Sequence, residues 1–126
     1  MNISLITVTY NSSKTLLDTF QSVLSQTYSD IEYIIVDGAS KDNTVSIIKE
    51  YEPKFNGRMK WISEPDKGLY DAMNKGIRMA TGDVVGILNS DDLFMDNNVL
   101  ADIAHAFDNN TDAIFGNLYF VNQEDV

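Results

Sequence analysis

Cysteine is absent from the 126 residues. That excludes a disulfide framework and a thiolate zinc site. It suits a reducing compartment, so the expected location is cytoplasmic, membrane-peripheral at most in a longer protein. Histidine occurs once, at His105, between Ala104 and Ala106. Mid-helix between two alanines, it is expected to have a structural or surface role rather than a catalytic one. Cations are scarce: Lys plus Arg is 9 and Asp plus Glu is 19, a formal net charge of −10. So acidic a surface repels nucleic-acid backbones and anionic headgroups, and no nucleic-acid partner is expected. A phosphorylated ligand stays admissible where a cation or a helix N-terminus meets it locally. No stretch approaches the roughly 18 apolar residues of a membrane span. The N-terminus has no basic region of the signal-peptide type. No transmembrane segment is therefore expected in this chain.

What is present fits one packed domain, with a hydrophobic fraction of 44%. Ile3–Val8, Ile31–Val36, Met59–Ile62, Val84–Leu88 and Ala113–Val121 read as strands. Between the first four lie apolar stripes at helical spacing. These are Leu16, Leu17, Phe20, Val23, Leu24; then Val45, Ile48, Tyr51; then Leu69, Ala72, Met73, Ile77, Ala80. A fourth stripe, Val99, Leu100, Ile103, Ala104, Phe107, precedes the last strand. Asn11, Ser12 and Ser13 offer capping groups for the first helix. Alternating strands and helices with short connections predict an α/β layered domain with a mostly parallel sheet. No repeat, linker or subdivision is visible.

The polar residues carry the functional signal through position. Thr9 and Tyr10 follow the first strand and Asp37 the second. Glu64, Pro65 and Asp66 follow the third, and Asn89, Ser90, Asp91 and Asp92 the fourth. Each cluster falls at a strand's carboxyl end, the edge where open α/β sheets bind ligands. Asp91-Asp92 could cap the next helix, but Asp96 and Asn97 sit closer to it. Two adjacent carboxylates repel unless a cation lies between them, and Mg²⁺ uses one or two carboxylates plus substrate phosphates. Asp37-Gly38 is a turn signal; its functional reading is an acceptor for a base N–H. Lys67-Gly68 opens a helix, an arrangement suited to phosphate. Asn74 and Lys75 lie further along it, where Asn calls for a hydrogen-bonding reason such as tying down the neighbouring loop.

The segments ITVTYNSSKTLLDTFQSVLSQTYSDIEYIIVDGASKDNT and EPDKGLYDAMNKGIRMATGDVVGILNSDD, in this order, resemble the family-2 glycosyltransferases of the GT-A fold. The likeness covers most of the chain. It implies a GT-A-like, Rossmann-type layered fold and an inverting transfer from a nucleotide-diphosphate sugar, usually UDP-linked. The acceptor would be a saccharide or lipid-linked saccharide, in polysaccharide or glycoconjugate synthesis. It implies nucleotide-binding roles for Thr9, Tyr10, Asn11, Asp37, Asp66, Lys67 and Asp91. Asp92, with Asp91, would meet Mn²⁺ or Mg²⁺. Ser90 stands where the family's Asp-x-Asp motif often has its first acid.

Residues 1–126 would then form the donor-binding part. The general base for the acceptor hydroxyl is expected beyond Val126. Asp112 and Glu124-Asp125 lack a suitable context for it. A sheet edge left exposed there would favour a homo-oligomer. A receiver-type phosphoacceptor domain is disfavoured, because its acidic pair follows the first strand. A dinucleotide-dependent oxidoreductase is excluded by Thr-Tyr-Asn-Ser-Ser where Gly-x-Gly-x-x-Gly would stand. A non-catalytic binding module is the remaining alternative.

Overall fold

The computed structural model describes residues 1–107 and the strands Ala113–Phe115 and Leu118–Asn122. The elements run β1 (Ile3–Thr9), α1 (Leu16–Leu24), β2 (Ile31–Asp37), α2 (Thr44–Tyr51), a 3₁₀ turn (Glu52–Phe55) and β3 (Met59–Ser63). Then follow α3 (Leu69–Met79), β4 (Val84–Ile87), α4 (Val99–Phe107), β5 (Ala113–Phe115) and β6 (Leu118–Asn122). They build one sheet in the order β3-β2-β1-β4-β6-β5. Strands β1 to β4 are mutually parallel, and β6 runs antiparallel to both β4 and β5.

The single strand expected over Ala113–Val121 is therefore two. The run contains Gly116-Asn117, a two-residue hairpin signal that outweighs its apolar continuity. Phe115 pairs with Leu118 in an antiparallel register. Residues 116 and 117, like Asp112 and Glu124-Asp125, lie outside the described residues.

Both faces of the parallel sheet are covered, which is why its strands are nearly all apolar. Ile3, Leu5, Tyr33, Ile35 and Val84 point to one face and pack with Phe20, Ile48, Leu100 and Phe107 of α1, α2 and α4. Ile6, Ile34, Val36 and Val85 point to the other and pack with Ala72 and Ile77 of α3. Phe20 meets Tyr33 edge-on at 5.7 Å, and Tyr51 and Phe55 lie at 5.6 and 6.1 Å from the same ring. Trp61 packs half-buried against this cluster, as a strand-face residue should. Tyr70 is exposed on α3, and His105 is exposed on α4. Among the described residues no helix is long and apolar enough to cross a membrane.

Helix α1 starts later than the Asn11–Ser13 capping signal suggests. The Ser12 carbonyl accepts from the amides of both Thr15 and Leu16, so a turn precedes the helix. Thr15 holds the N-cap position without capping it. Its hydroxyl is committed to the Ser90 carbonyl, on the loop after β4.

Candidate functional site

Parallel pairing puts the ends of β1, β2, β3 and β4 on one rim. In the register, Thr9 sits opposite Asp37 and Asp37 opposite Ser63. The β4 end lies beside β1, where the Leu88 amide donates to the Ile6 carbonyl.

Asp37 is wholly buried. Its Oδ1 accepts from the hydroxyls of Thr9 and Ser40, each at 2.6 Å. Its Oδ2 accepts from the Ser40 amide at 2.9 Å and the Ser63 hydroxyl at 2.7 Å. A carboxylate has about four acceptor positions, and here all four have protein partners. Burial pushes this carboxyl up; the hydrogen bonds from Ser40, Thr9 and Ser63 outweigh it and hold the group below the ordinary carboxylate range. Asp37 thus ties the ends of three strands together.

Two neighbouring backbone positions are left-handed without being glycine: Asn11 at φ 48° and Ala39 at φ 60°. Such strain persists only where its surroundings enforce it. Here the Asn11 amide donates to Ser40 Oγ at 2.8 Å, and Asn11 Oδ1 accepts from the Lys41 amide at 2.8 Å. The loops after β1 and β2 are clasped to each other.

That clasp forms one wall of a cavity of about 610 Å³ lined by Val8, Tyr10, Gly38, Lys41, Asp66 and Leu69, among others. The volume suits a small-molecule site. Tyr10 is 61% exposed and presents its ring. The opposite wall is the Glu64–Gly68 turn, stapled to α3 by Lys75. Its Nζ donates to the Pro65 carbonyl at 3.0 Å and pairs with Glu64 at 3.1 Å and Asp71 at 3.6 Å. The loop-tying role expected of Asn74 falls instead to its neighbour Lys75. Asn74 is exposed.

The α3 N-terminus is already served by acids. The Lys67 amide donates to Asp71 Oδ2 at 2.9 Å and the Gly68 amide to Asp66 Oδ1 at 3.0 Å. This hydrogen bond to the Lys67 amide is the leading reason Asp71 stays below the ordinary range. Two of the donors that would meet a phosphate there have partners. Lys67 itself is exposed and is not among the lining residues.

Asp91 and Asp92 lie on the loop after β4. Ser12 Oγ lies 3.0 Å from Ser90 Oγ and joins this loop to the one after β1. The α1 segment holds the loop by its main chain. Thr15 Oγ1 donates to the Ser90 carbonyl at 2.8 Å. Thr19 Oγ1 lies 3.0 Å from that carbonyl and 2.9 Å from the Asp92 carbonyl. Ser22 Oγ accepts from the Phe94 amide at 2.8 Å. Past the helix end, Gln26 reaches the Asp96 carbonyl at 2.6 Å and the Leu100 amide at 3.0 Å. Asp96 does the local work before α4, accepting from the Asn98 amide at 2.7 Å. By contrast, the carboxylates of Asp91 and Asp92 take no hydrogen bond or ion pair from the described residues. Their backbone is held firmly, and their oxygens are uncommitted. No group of three acidic or imidazole side chains forms a ready-made metal cage among the described residues. Two uncommitted carboxylates fit the mode in which the substrate's phosphates complete the coordination of a hard divalent ion.

Of the sequence-predicted residues, Lys67 stands apart, exposed and outside the cavity lining, and the others fall into three sets. Tyr10 and Asp66 line the cavity. Thr9, Asn11 and Asp37 build its wall from behind. Asp91 and Asp92 stand on the adjoining loop. Sequence reasoning missed Ser40 and Ser63, which hold Asp37, and the Thr15-Thr19-Ser22 stripe, which holds the acidic loop. The only signal in the sequence was the helical spacing of these hydroxyls beside the apolar stripe of α1; that Thr19 is buried is a fact of the structure.

A family model described as "Glycosyl transferase family 2" matches residues 4–126. An uncharacterized glycosyltransferase of Mycobacterium tuberculosis is 42% identical over 105 residues, covering 82% of this chain and 39% of that protein. The chain therefore spans well under half the length of this relative. Among solved structures, S. aureus TarS in complex with UDP-GlcNAc superposes with a TM-score of 0.80 at 28% identity, covering 89% of this chain and 32% of that one. The mannosyltransferase PcManGT of Pyrobaculum calidifontis, in complex with GDP-Man and Mn²⁺, gives a TM-score of 0.86 at 21% identity, covering 97% of this chain and 44% of that one.

Proposed function

The chain belongs to glycosyl transferase family 2, and on that premise we propose that it binds the nucleotide-diphosphate-sugar donor, UDP-linked, of an enzyme that transfers a sugar to a hydroxyl acceptor with inversion. The observation that carries the reading is the rim itself. A cavity sized for a nucleoside, with Tyr10 and Asp66 in its lining, adjoins a backbone-anchored loop bearing two uncommitted carboxylates.

The roles follow from the chemistry. Tyr10 offers a flat face against which a base stacks. Thr9, Asn11 and Asp37 hold the cavity wall. A diphosphate beside Asp91 and Asp92 would be repelled at close range. The two acids would therefore hold Mn²⁺ or Mg²⁺ together with the donor's phosphates. Held there, such an ion would supply Lewis-acid compensation for the charge developing on the leaving diphosphate. Thr15 and Thr19 keep the acidic loop in register with the cavity. Donor binding is accordingly metal-dependent. The acceptor, in this reading, is a saccharide or lipid-linked saccharide.

The test is calorimetry of the 126-residue chain with UDP, in Mn²⁺ and then in EDTA. Binding in Mn²⁺ that weakens at least tenfold in EDTA, and that Asp92→Ala abolishes without lowering the thermal midpoint, is the expected result. UDP binding indifferent to both metal and Asp92 would overturn the metal-bridged site. No binding in either condition would favour a non-catalytic module.

A further inference from the structure

The cavity has one carboxylate able to read a base, and it is not the one on β2. Asp37 is buried, with four internal donors on its two oxygens. It has no acceptor position left for a ligand. Asp66 lies in the cavity wall with one oxygen committed: Oδ1 accepts from the Gly68 amide at 3.0 Å. Its other oxygen, Oδ2, takes no hydrogen bond from the described residues. It sits over Gly38, where a Cβ would lie only 2.7 Å away. So short a separation is not tolerated, so the missing side chain at Gly38 is what lets Asp66 occupy this place. Gly38 does not need glycine for its backbone, since it is not among the positive-φ glycines. The ring of Tyr10 borders the same spot, with Cδ1 3.4 Å from that would-be Cβ.

We propose that Asp66, seated in the gap left by Gly38, is the residue that selects the nucleobase, and that it selects bases carrying a ring N–H, uracil or guanine, over cytosine. An ionised carboxylate only accepts, so it matches the uracil N3–H or guanine N1–H and opposes the bare ring nitrogen of cytosine. The inference deepens the donor-site reading and rests on it. The Gly68 contact makes the polarity testable. In Asp66→Asn the amide must keep its carbonyl oxygen toward the Gly68 N–H, which turns its NH₂ toward the cavity. A donor then stands where an acceptor stood. That arrangement suits cytosine and opposes uracil.

Calorimetry with UDP, GDP and CDP in Mn²⁺ reads this directly, with circular dichroism as the fold control. Wild type is expected to bind UDP or GDP over CDP. Asp66→Asn should lose roughly tenfold for that nucleotide, the scale of a charged hydrogen bond, and shift its preference toward CDP. Gly38→Ala, which displaces Asp66 without touching its charge, should also weaken the preferred nucleotide about tenfold. A folded Asp66→Asn protein with wild-type nucleotide preference would overturn the assignment while leaving the donor site standing. Wild type binding no nucleotide at all would sink both together.

Discussion

Replacing Asp37 by Asn separates a residue that builds the rim from one that touches the ligand. The substitution keeps the shape and removes the charge. Of the four donors, the Ser40 amide cannot reverse, so the new carbonyl oxygen must take the Oδ2 place and the NH₂ the Oδ1 place. There it meets the hydroxyls of Thr9 and Ser40. Both can turn their lone pairs toward it, but each then lacks an acceptor for its own proton, and Thr9 is fully buried. Bonds to a charged group contribute about 1.5–3 kcal/mol and neutral ones about 0.5–1.5, a difference of about 1 kcal/mol per bond. Coupling keeps the four from adding fully, so a loss of about 3 kcal/mol at pH 7 is expected. The assay is urea unfolding from pH 7 down to pH 3. The folded Asp37 sits below its unfolded value of about 3.9. Its contribution is therefore fully present above about pH 4 and fades as pH falls through the folded value. The gap between wild type and Asp37→Asn should narrow over that same interval. The reasoning fails if the variant is as stable as wild type at neutral pH yet no longer binds nucleotide, for then the carboxylate serves the ligand and not the wall.

Two further substitutions probe the frame. Thr19→Val conserves shape but leaves the Asp92 carbonyl without its hydroxyl donor, while the Ser90 carbonyl keeps that of Thr15; it should cost about 1–3 kcal/mol in chemical unfolding and loosen Mn²⁺-dependent UDP binding, whereas a stability loss with unchanged binding would deny Thr19 any part in placing Asp92. Gly76→Ala improves helix propensity by about 1 kcal/mol but sets a methyl 2.7 Å from Ile6 Cγ2; net destabilisation of about 1–3 kcal/mol is expected from overcrowding, and a rise in thermal midpoint would show that α3 can lift off the sheet.

Much of the frame was legible because hydrophobic periodicity reports burial directly. Strands apolar on both faces, such as Ile31–Val36, announced a covered parallel sheet, and the sheet carries helices on both sides. The rim was legible for the same reason: once strands are parallel, their ends must coincide. The hairpin of β5 and β6 was not, because an apolar run reads as one strand until the turn inside it is weighed. The roles within the site were least legible. Sequence marks Asp37 as an acid, but only the structure counts its partners. Nothing in the string Asp37-Gly38 says that the glycine makes room for Asp66, a residue 28 positions later. Thr15 and Thr19 look like ordinary helix-surface choices until the β4 loop is seen lying against them.

Helix α1 faces two ways. Phe20 and Val23 anchor it in the aromatic core, while Thr19 and Ser22, their immediate neighbours in the chain, hold the acidic loop. A helix turns about 100° per residue, so a small roll that improves the fit of Phe20 swings Thr19 sideways by the same angle. The packing of the core and the placement of the acidic loop therefore share one rigid element. Lineages that repack Phe20 or Tyr33 should be found adjusting the hydroxyls opposite.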